Sequence, residues 1–158
     1  MRGLALVAVL WSAPAAAEPA YSLSADVDAR LGMSSIYPRL VVTGARRSWD
    51  RLQLGVNLGV GSSPGLFETH QSGEVGIWLY PSRSIDLLLG WRIGHAYLYD
   101  THGPASLSVH SAIVETFATM ELHLGPVELR VTPLLITGYR TGAWLLLIGP
   151  QIGVAKWL

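Results

Sequence analysis

The chain has 158 residues, enough for one domain, and carries 11 basic against 11 acidic residues. That balance supplies no basic field for a nucleic-acid partner, and the absence of cysteine excludes disulfides and thiolate metal sites. Half of the residues are hydrophobic, yet 17 glycines and 9 prolines are spread among them, a mix that suits many short strands joined by turns.

The N-terminus reads as a secretory signal. Arg2 supplies a positive start, Gly3 to Trp11 an apolar run, and Ala15-Ala16-Ala17 a small-residue cleavage site before Glu18. A membrane anchor is the alternative, but the run is well short of the ~20 residues a spanning helix needs. Residues 1–17 are therefore expected to be removed, leaving 18–158 as one exported domain.

Alternation dominates the exported domain. Tyr21, Leu23, Ala25, Val27, Ala29, Leu31 and Met33 share one parity, and Ser22, Ser24, Asp26, Asp28, Arg30 and Gly32 the other. Successive side chains of a strand point to opposite faces, so this segment is apolar on one side and polar on the other. Ile36 to Arg46 is apolar on both parities around Leu40-Val41-Val42. Arg51 to Val60, Glu74 to Leu79, Ile85 to Gly94, Ser111 to Leu124 and Val127 to Thr132 alternate again. The last segment, Ala143 to Leu158, contains the apolar run Trp144 to Ile148. Eight strands result. Arg47 to Asp50, Pro81 to Ser84 and Gly125-Pro126 read as tight turns; Gly61 to Glu68 and Leu98 to Ser106 read as longer loops. Short turns at one end and longer loops at the other match the periplasmic and outer ends of an outer-membrane barrel.

Charge placement then sets the environment. Asp26, Asp28, Arg30, Arg39, Arg51, Glu74, Asp86, Arg92, Glu115, Glu121, Glu128 and Arg130 all take the polar parity. The other charges of the exported domain, Glu68 and Arg140 among them, fall in turns, termini or strand ends. An Arg or Lys on the apolar parity would cost about 2–4 kcal/mol at a bilayer midplane, and none sits there in mid-strand. The polar parity is thus expected to face a lumen, whose interior in an eight-stranded barrel is just wide enough for side chains to fill. Aromatic residues gather at strand ends: Tyr21, Trp49, Trp78, Tyr80 and Trp157 toward the turns, and Tyr37, Tyr97, Tyr99, Tyr139 and Trp144 toward the loops. Two headgroup-level girdles are expected from them. A soluble barrel of lipocalin type would need the apolar parity to face inward. A helical membrane span over Leu134 to Val154 is opposed by Pro133, Gly138, Gly142, Gly149, Pro150 and the charge of Arg140.

On these features the exported domain resembles the small eight-stranded outer-membrane barrels of the OmpX-like and OmpA-barrel-like group. The resemblance rests on architecture from Glu18 to Leu158 and on a C-terminal pattern. Gln151 and Gly153 fit the assembly signal of such proteins, whereas Lys156 and Leu158 stand at its hydrophobic or aromatic positions and the aromatic is displaced to Trp157. The resemblance implies outer-membrane lipid and the barrel-assembly machinery as partners and a structural or surface-interaction role, with an extracellular ligand meeting Phe67, Tyr99, Asp100 and His102 on the loops.

Other activities leave weaker traces. A narrow channel would run past Gly55, Gly59, Gly90 and Gly94. The pair His70-x-Ser72 has the spacing of the PagL-like lipid A deacylases, but their motif lies late in the chain and faces lipid, whereas this one is early and on the polar parity. No His cluster has metal-ligand spacing and no glycine-rich loop opens a helix. No cofactor, metal or catalytic residue is expected.

Overall fold

The computed structural model describes residues 21–31, 36–48, 51–79, 84–100, 108–140 and 144–158. The proposed signal segment 1–17, together with Trp49, Tyr80 and His102, lies outside them. Alternating side chains produce eight strands: β1 (Tyr21–Leu31), β2 (Ile36–Ser48), β3 (Leu52–Ser63), β4 (Leu66–Trp78), β5 (Ile85–Asp100), β6 (Ser108–His123), β7 (Glu128–Arg140) and β8 (Trp144–Trp157). Each pairs antiparallel with its neighbours, and β1 closes on β8, so the sheet is a closed barrel without a free edge. Closure satisfies the backbone donors and acceptors internally, which lipid requires. Among the described residues no helix is long and apolar enough to cross a membrane; crossing falls to the strands.

The register climbs steeply. From Tyr21 the paired residues run Arg46, Leu54, Val75, Trp91, Thr116, Ile136 and Ile148, and return to β1 at Leu31, ten residues higher (31 − 21). Such stagger accompanies strand tilt of about 40°. The even strand number puts Tyr21 and Leu158 side by side at one end, where the Leu158 amide donates to the Tyr21 carbonyl at 2.7 Å. The tallest strands, β5 and β6, reach farthest at the opposite end, which is the outer end of such barrels.

Two connections differ from expectation. The Gly61 to Glu68 segment is not a long loop. β3 and β4 pair up to Ser63 and Leu66, and Pro64-Gly65 alone make the turn, with Gly65 at φ 82°. Only glycine adopts that backbone without strain. Leu98, Tyr99 and Asp100 likewise belong to β5, paired with β4 as far as Leu66.

The register shifts in β7 at Pro133. Thr132 pairs with Gln151 and Leu135 with Gly149, so one residue is gained there. Proline has no N–H for the ladder and is confined to such irregularities. Glu128, Arg130 and Thr132 are buried inside, but beyond the shift the inward residues are Leu135, Thr137 and Tyr139. The parity of β7 is reversed halfway up.

Candidate functional site

Inside and outside are inverted relative to a soluble barrel. Leu23, Val27, Leu40, Leu54, Val56, Leu58, Trp91, Ile93, Leu146 and Ile152 are exposed, while twelve Asp, Glu and Arg side chains are buried: Asp26, Asp28, Arg30, Arg39, Glu68, Glu74, Asp86, Arg92, Glu115, Glu121, Glu128 and Arg130. The lipocalin alternative requires the reverse and is overturned.

The centre of the lumen is Glu115 on β6, 1% exposed. Its carboxylate accepts from Arg30 on β1 at 2.5 Å, Arg39 on β2 at 2.7 Å and Thr137 on β7 at 3.1 Å, and faces Arg92 on β5 at 3.4 Å. Each arginine has a further acid. Arg39 donates to Asp28 through Nε at 2.9 Å and Nη2 at 2.7 Å; Arg30 Nε lies 3.5 Å from Asp28; Arg92 Nε donates to Glu74 at 2.7 Å. Gln53 donates to the other oxygen of Glu74 at 2.7 Å. Buried charges persist only when paired in this way.

Toward the outer end, Glu68 takes the next level. It lies 3.2 Å from His70 and 3.7 Å from Arg39, and accepts from the Tyr139 hydroxyl at 2.7 Å. Arg30 also donates to Tyr139. Tyr37 is buried beside this group, and Ala96, Ile113 and Tyr139 make an apolar cluster flanked by Leu98 and Leu147. Toward the terminal end, Arg130 meets Asp26 at 2.9 Å, Ser24 at 2.5 Å and Glu121 at 2.9 Å. Below them Trp78, Leu88, Phe117 and Leu135 form an apolar plug against Trp157. Arg47 lies over the Trp78 ring at 4.2 Å and pairs with Asp86 at 3.2 Å; His123 bridges Asp86 and Glu128 at 3.4 and 2.5 Å.

Paired charges and apolar clusters thus occupy the lumen from the Trp78 end to the Tyr139 end. Rings take the space at two of the four glycines of the channel reading: a methyl on Gly59 would overlap the His70 ring, and one on Gly90 the Phe117 ring. His70 and Ser72 both face this interior and are buried, and the Ser72 hydroxyl has no hydrogen-bond partner. His70 lies 3.2 Å from Glu68 instead, and its ring reaches the floor of two shallow depressions in the outer wall. Among the described residues no group of His, Asp and Glu has metal-binding geometry.

Eleven of the twelve charges expected to face the lumen are buried there. Arg51 is corrected: it stands exposed in the turn before β3, because β3 begins at Leu52 and its first inward residue is Gln53. Four of the expected girdle residues are corrected as well. Tyr37, Trp78 and Tyr139 are buried within the lumen, and Trp157 is half-buried there against Trp78. Position along a strand fixes height, but parity fixes the face. Tyr37 shares the parity of Arg39, Trp78 that of Glu74, Trp157 that of Gln151, and Tyr139 is turned inward by the shift at Pro133. Tyr21 and Trp144 are exposed on the outer wall, with Tyr97 and Tyr99 half-buried there. Phe67 pairs with Ser62 and is exposed at the upper end of β4; Asp100 ends β5. The residues missed by sequence reasoning are chiefly Glu68, His70 and Arg47. Extending the alternation of Glu74 upward through Ser72 and His70 reaches Glu68, and extending that of Arg39 downward reaches Arg47.

Apolar wall and charged lumen in one closed sheet decide the environment. The chain is a transmembrane β-barrel. Solved structures agree on the fold. The N-terminal β-barrel domain of Pseudomonas aeruginosa OprF superposes with a TM-score of 0.72 at 8% identity, over 88% of this chain and 97% of that one. Neisserial surface protein A, NspA, gives 0.69 at 11% identity over 90% and 99%. Ail, the attachment invasion locus protein of Yersinia pestis, gives 0.52 at 10% identity over 88% and 96%. No family model and no curated protein matches the chain. The fold is thus that of the small eight-stranded outer-membrane barrels, carried on a sequence that shares little with them.

Proposed function

We propose that this chain is a non-enzymatic outer-membrane barrel with a sealed lumen and a structural or surface-interaction role. The observation that carries the reading is the continuity of the filling, from the Trp78 plug through Arg130, Glu115 and Glu68 to Tyr139. A sealed bore supports neither a solute path nor a lumenal reaction, so activity falls to the wall and the outer rim. Outer-membrane lipid meets the wall, the barrel-assembly machinery inserts it, and an extracellular ligand would meet the rim around Phe67, Tyr99, Asp100 and His102. A surface role is also in keeping with two of the solved neighbours, which carry the names of a surface protein and an attachment protein.

Planar-bilayer recording on the refolded chain tests this. The expected record is silent at all voltages. Unitary steps whose size changes in Arg92→Gln would replace the sealed barrel with a channel. The lipid A mass profile of the host should be the same with the native chain and with His70→Ala; a change that depends on His70 would restore an enzyme.

A further inference from the structure

The outer wall carries its own charge pattern. Every carboxylate in the described strands takes the lumen parity, including Asp100 at the head of β5, which shares the parity of Arg92. The charged residues on the outward parity are cationic: Arg46 and Lys156 near the chain termini, and Arg140 at the outer end of β7. Beside Arg140 lie two outward histidines. The register sets His95 opposite Ala112 and Ala112 opposite Arg140, with Tyr97 opposite His110. The rings of His95, Tyr97 and His110 touch, with centroids 4.8, 4.3 and 5.2 Å apart. Ala112, with its small side chain, stands between His95 and Arg140 in that row.

Height places this cluster at a headgroup. From Ile85 the outward residues of β5 are apolar up to Ile93 and change character at His95. Ten residues at about 3.3 Å each, tilted by about 40°, rise about 25 Å, the height of the apolar band of such barrels. Trp144, exposed opposite Arg140, marks the same boundary.

A trough leads down from it. A dent of about 210 Å³ is lined by Leu58, Thr69, His70, Gln71, His95 and Tyr97, and it adjoins one of about 350 Å³ whose walls are Leu40, Val42, Leu58, Val60 and Thr69 and whose floor is Gly59 and the His70 ring. Because rows of paired residues climb from β1 to β8, the row from His95 through Gln71 and Leu58 to Val42 descends into the apolar band. The His95 side of the polar cluster thus opens onto an apolar trough.

We propose that this surface binds one phosphate-bearing acyl lipid of the outer leaflet. Its phosphate oxygens accept from the His95 and His110 rings and the Arg140 guanidinium, and one acyl chain lies along Leu58 and Val42. Imidazole N–H and guanidinium groups donate to phosphate, and Arg does so through two parallel bonds. With no acid on the outward positions of the described strands, the surface complements an anion rather than a zwitterion.

The test uses the full chain in nanodiscs of phosphatidylcholine doped with diphosphoryl lipid A, extracted in non-ionic detergent, with retained lipid measured by native mass spectrometry. The native chain should retain one lipid A. His95→Ala/His110→Ala/Arg140→Gln should retain about tenfold less or lower still, and so should Leu58→Trp, which fills the trough and leaves the head site intact. Arg46→Gln/Lys156→Gln should retain as much as native. All variants are first shown to stay folded in SDS until boiled. Equal retention by the triple variant, equal loss by the Arg46/Lys156 variant, or release of the lipid by inorganic phosphate would overturn the proposal. Bilayer conductance is not involved, so its failure is distinct from that of the sealed-lumen reading.

Discussion

Glu115→Gln is the sharpest probe of the lumen. The substitution keeps the shape of the side chain and removes one charge from among Arg30, Arg39 and Arg92. Removing one partner of a buried ion pair costs about 3–5 kcal/mol when the other is left unpaired. Here each arginine keeps another acid: Arg39 keeps Asp28 at 2.7 Å, Arg92 keeps Glu74 at 2.7 Å, and Arg30 keeps Asp28 at 3.5 Å and Glu68 at 4.0 Å. The cost should therefore lie at the lower end, about 3 kcal/mol, a shift of about 150-fold in the folded-to-unfolded ratio. Urea unfolding in lipid vesicles, followed by tryptophan fluorescence and by mobility in unboiled SDS gels, measures it. Arg39→Gln combined with Glu115→Gln should lose less than the sum of the single losses, because the two charges are removed together. A loss under about 0.5 kcal/mol, no larger than that of an ordinary surface substitution, would refute Glu115 as the hub.

The same geometry sets four other outcomes. Trp78→Ala removes the ring that packs on Leu88, Phe117 and Trp157 and should cost about 3–5 kcal/mol in the same urea assay. Gly59→Ala drives a methyl into the His70 ring and should cost about 1–3 kcal/mol, whereas Gly73→Ala points a methyl into open space and should be near neutral; equal urea midpoints for the two would contradict the packing. The chain has no native cysteine, so single cysteines report the parity change in β7. A cysteine at Arg140 should react with a water-soluble maleimide in the folded protein and one at Tyr139 should be protected. The opposite pattern would remove the register shift at Pro133. Arg51→Gln, at an exposed turn position, should change stability by less than about 0.5 kcal/mol in urea titration.

How far the lumen was legible in the sequence depends on the residue. Asp26, Asp28 and Arg30 alternate with Ala25, Val27 and Ala29, and a strand with one charged and one apolar face has only one way to sit in a lipid-facing wall. The same holds for Glu74, Arg92 and Glu115. Glu68 was obscured because Gly61 to Gly65 has the composition of a loop, yet pairing carries β3 and β4 through all but Pro64-Gly65. Trp78 and Trp157 were placed at the right height and on the wrong face: amphipathic rings at strand ends suit a headgroup girdle and a lumen plug equally, and parity alone separates them.

The sequence by itself determined what local periodicity can encode: eight strands, a charged face and an apolar face, and the preference of that pattern for a barrel inside lipid. It could not determine which charges meet. Glu115 finds Arg30, Arg39 and Arg92 because closure brings β1, β2, β5 and β6 around one narrow axis, at levels set by a register that climbs ten residues per circuit. Nor could periodicity alone place Tyr139 inside and Arg140 outside. That choice was made in the sheet, where Pro133 offers no N–H to its neighbour, the ladder takes up an extra residue, and every side chain above it changes face.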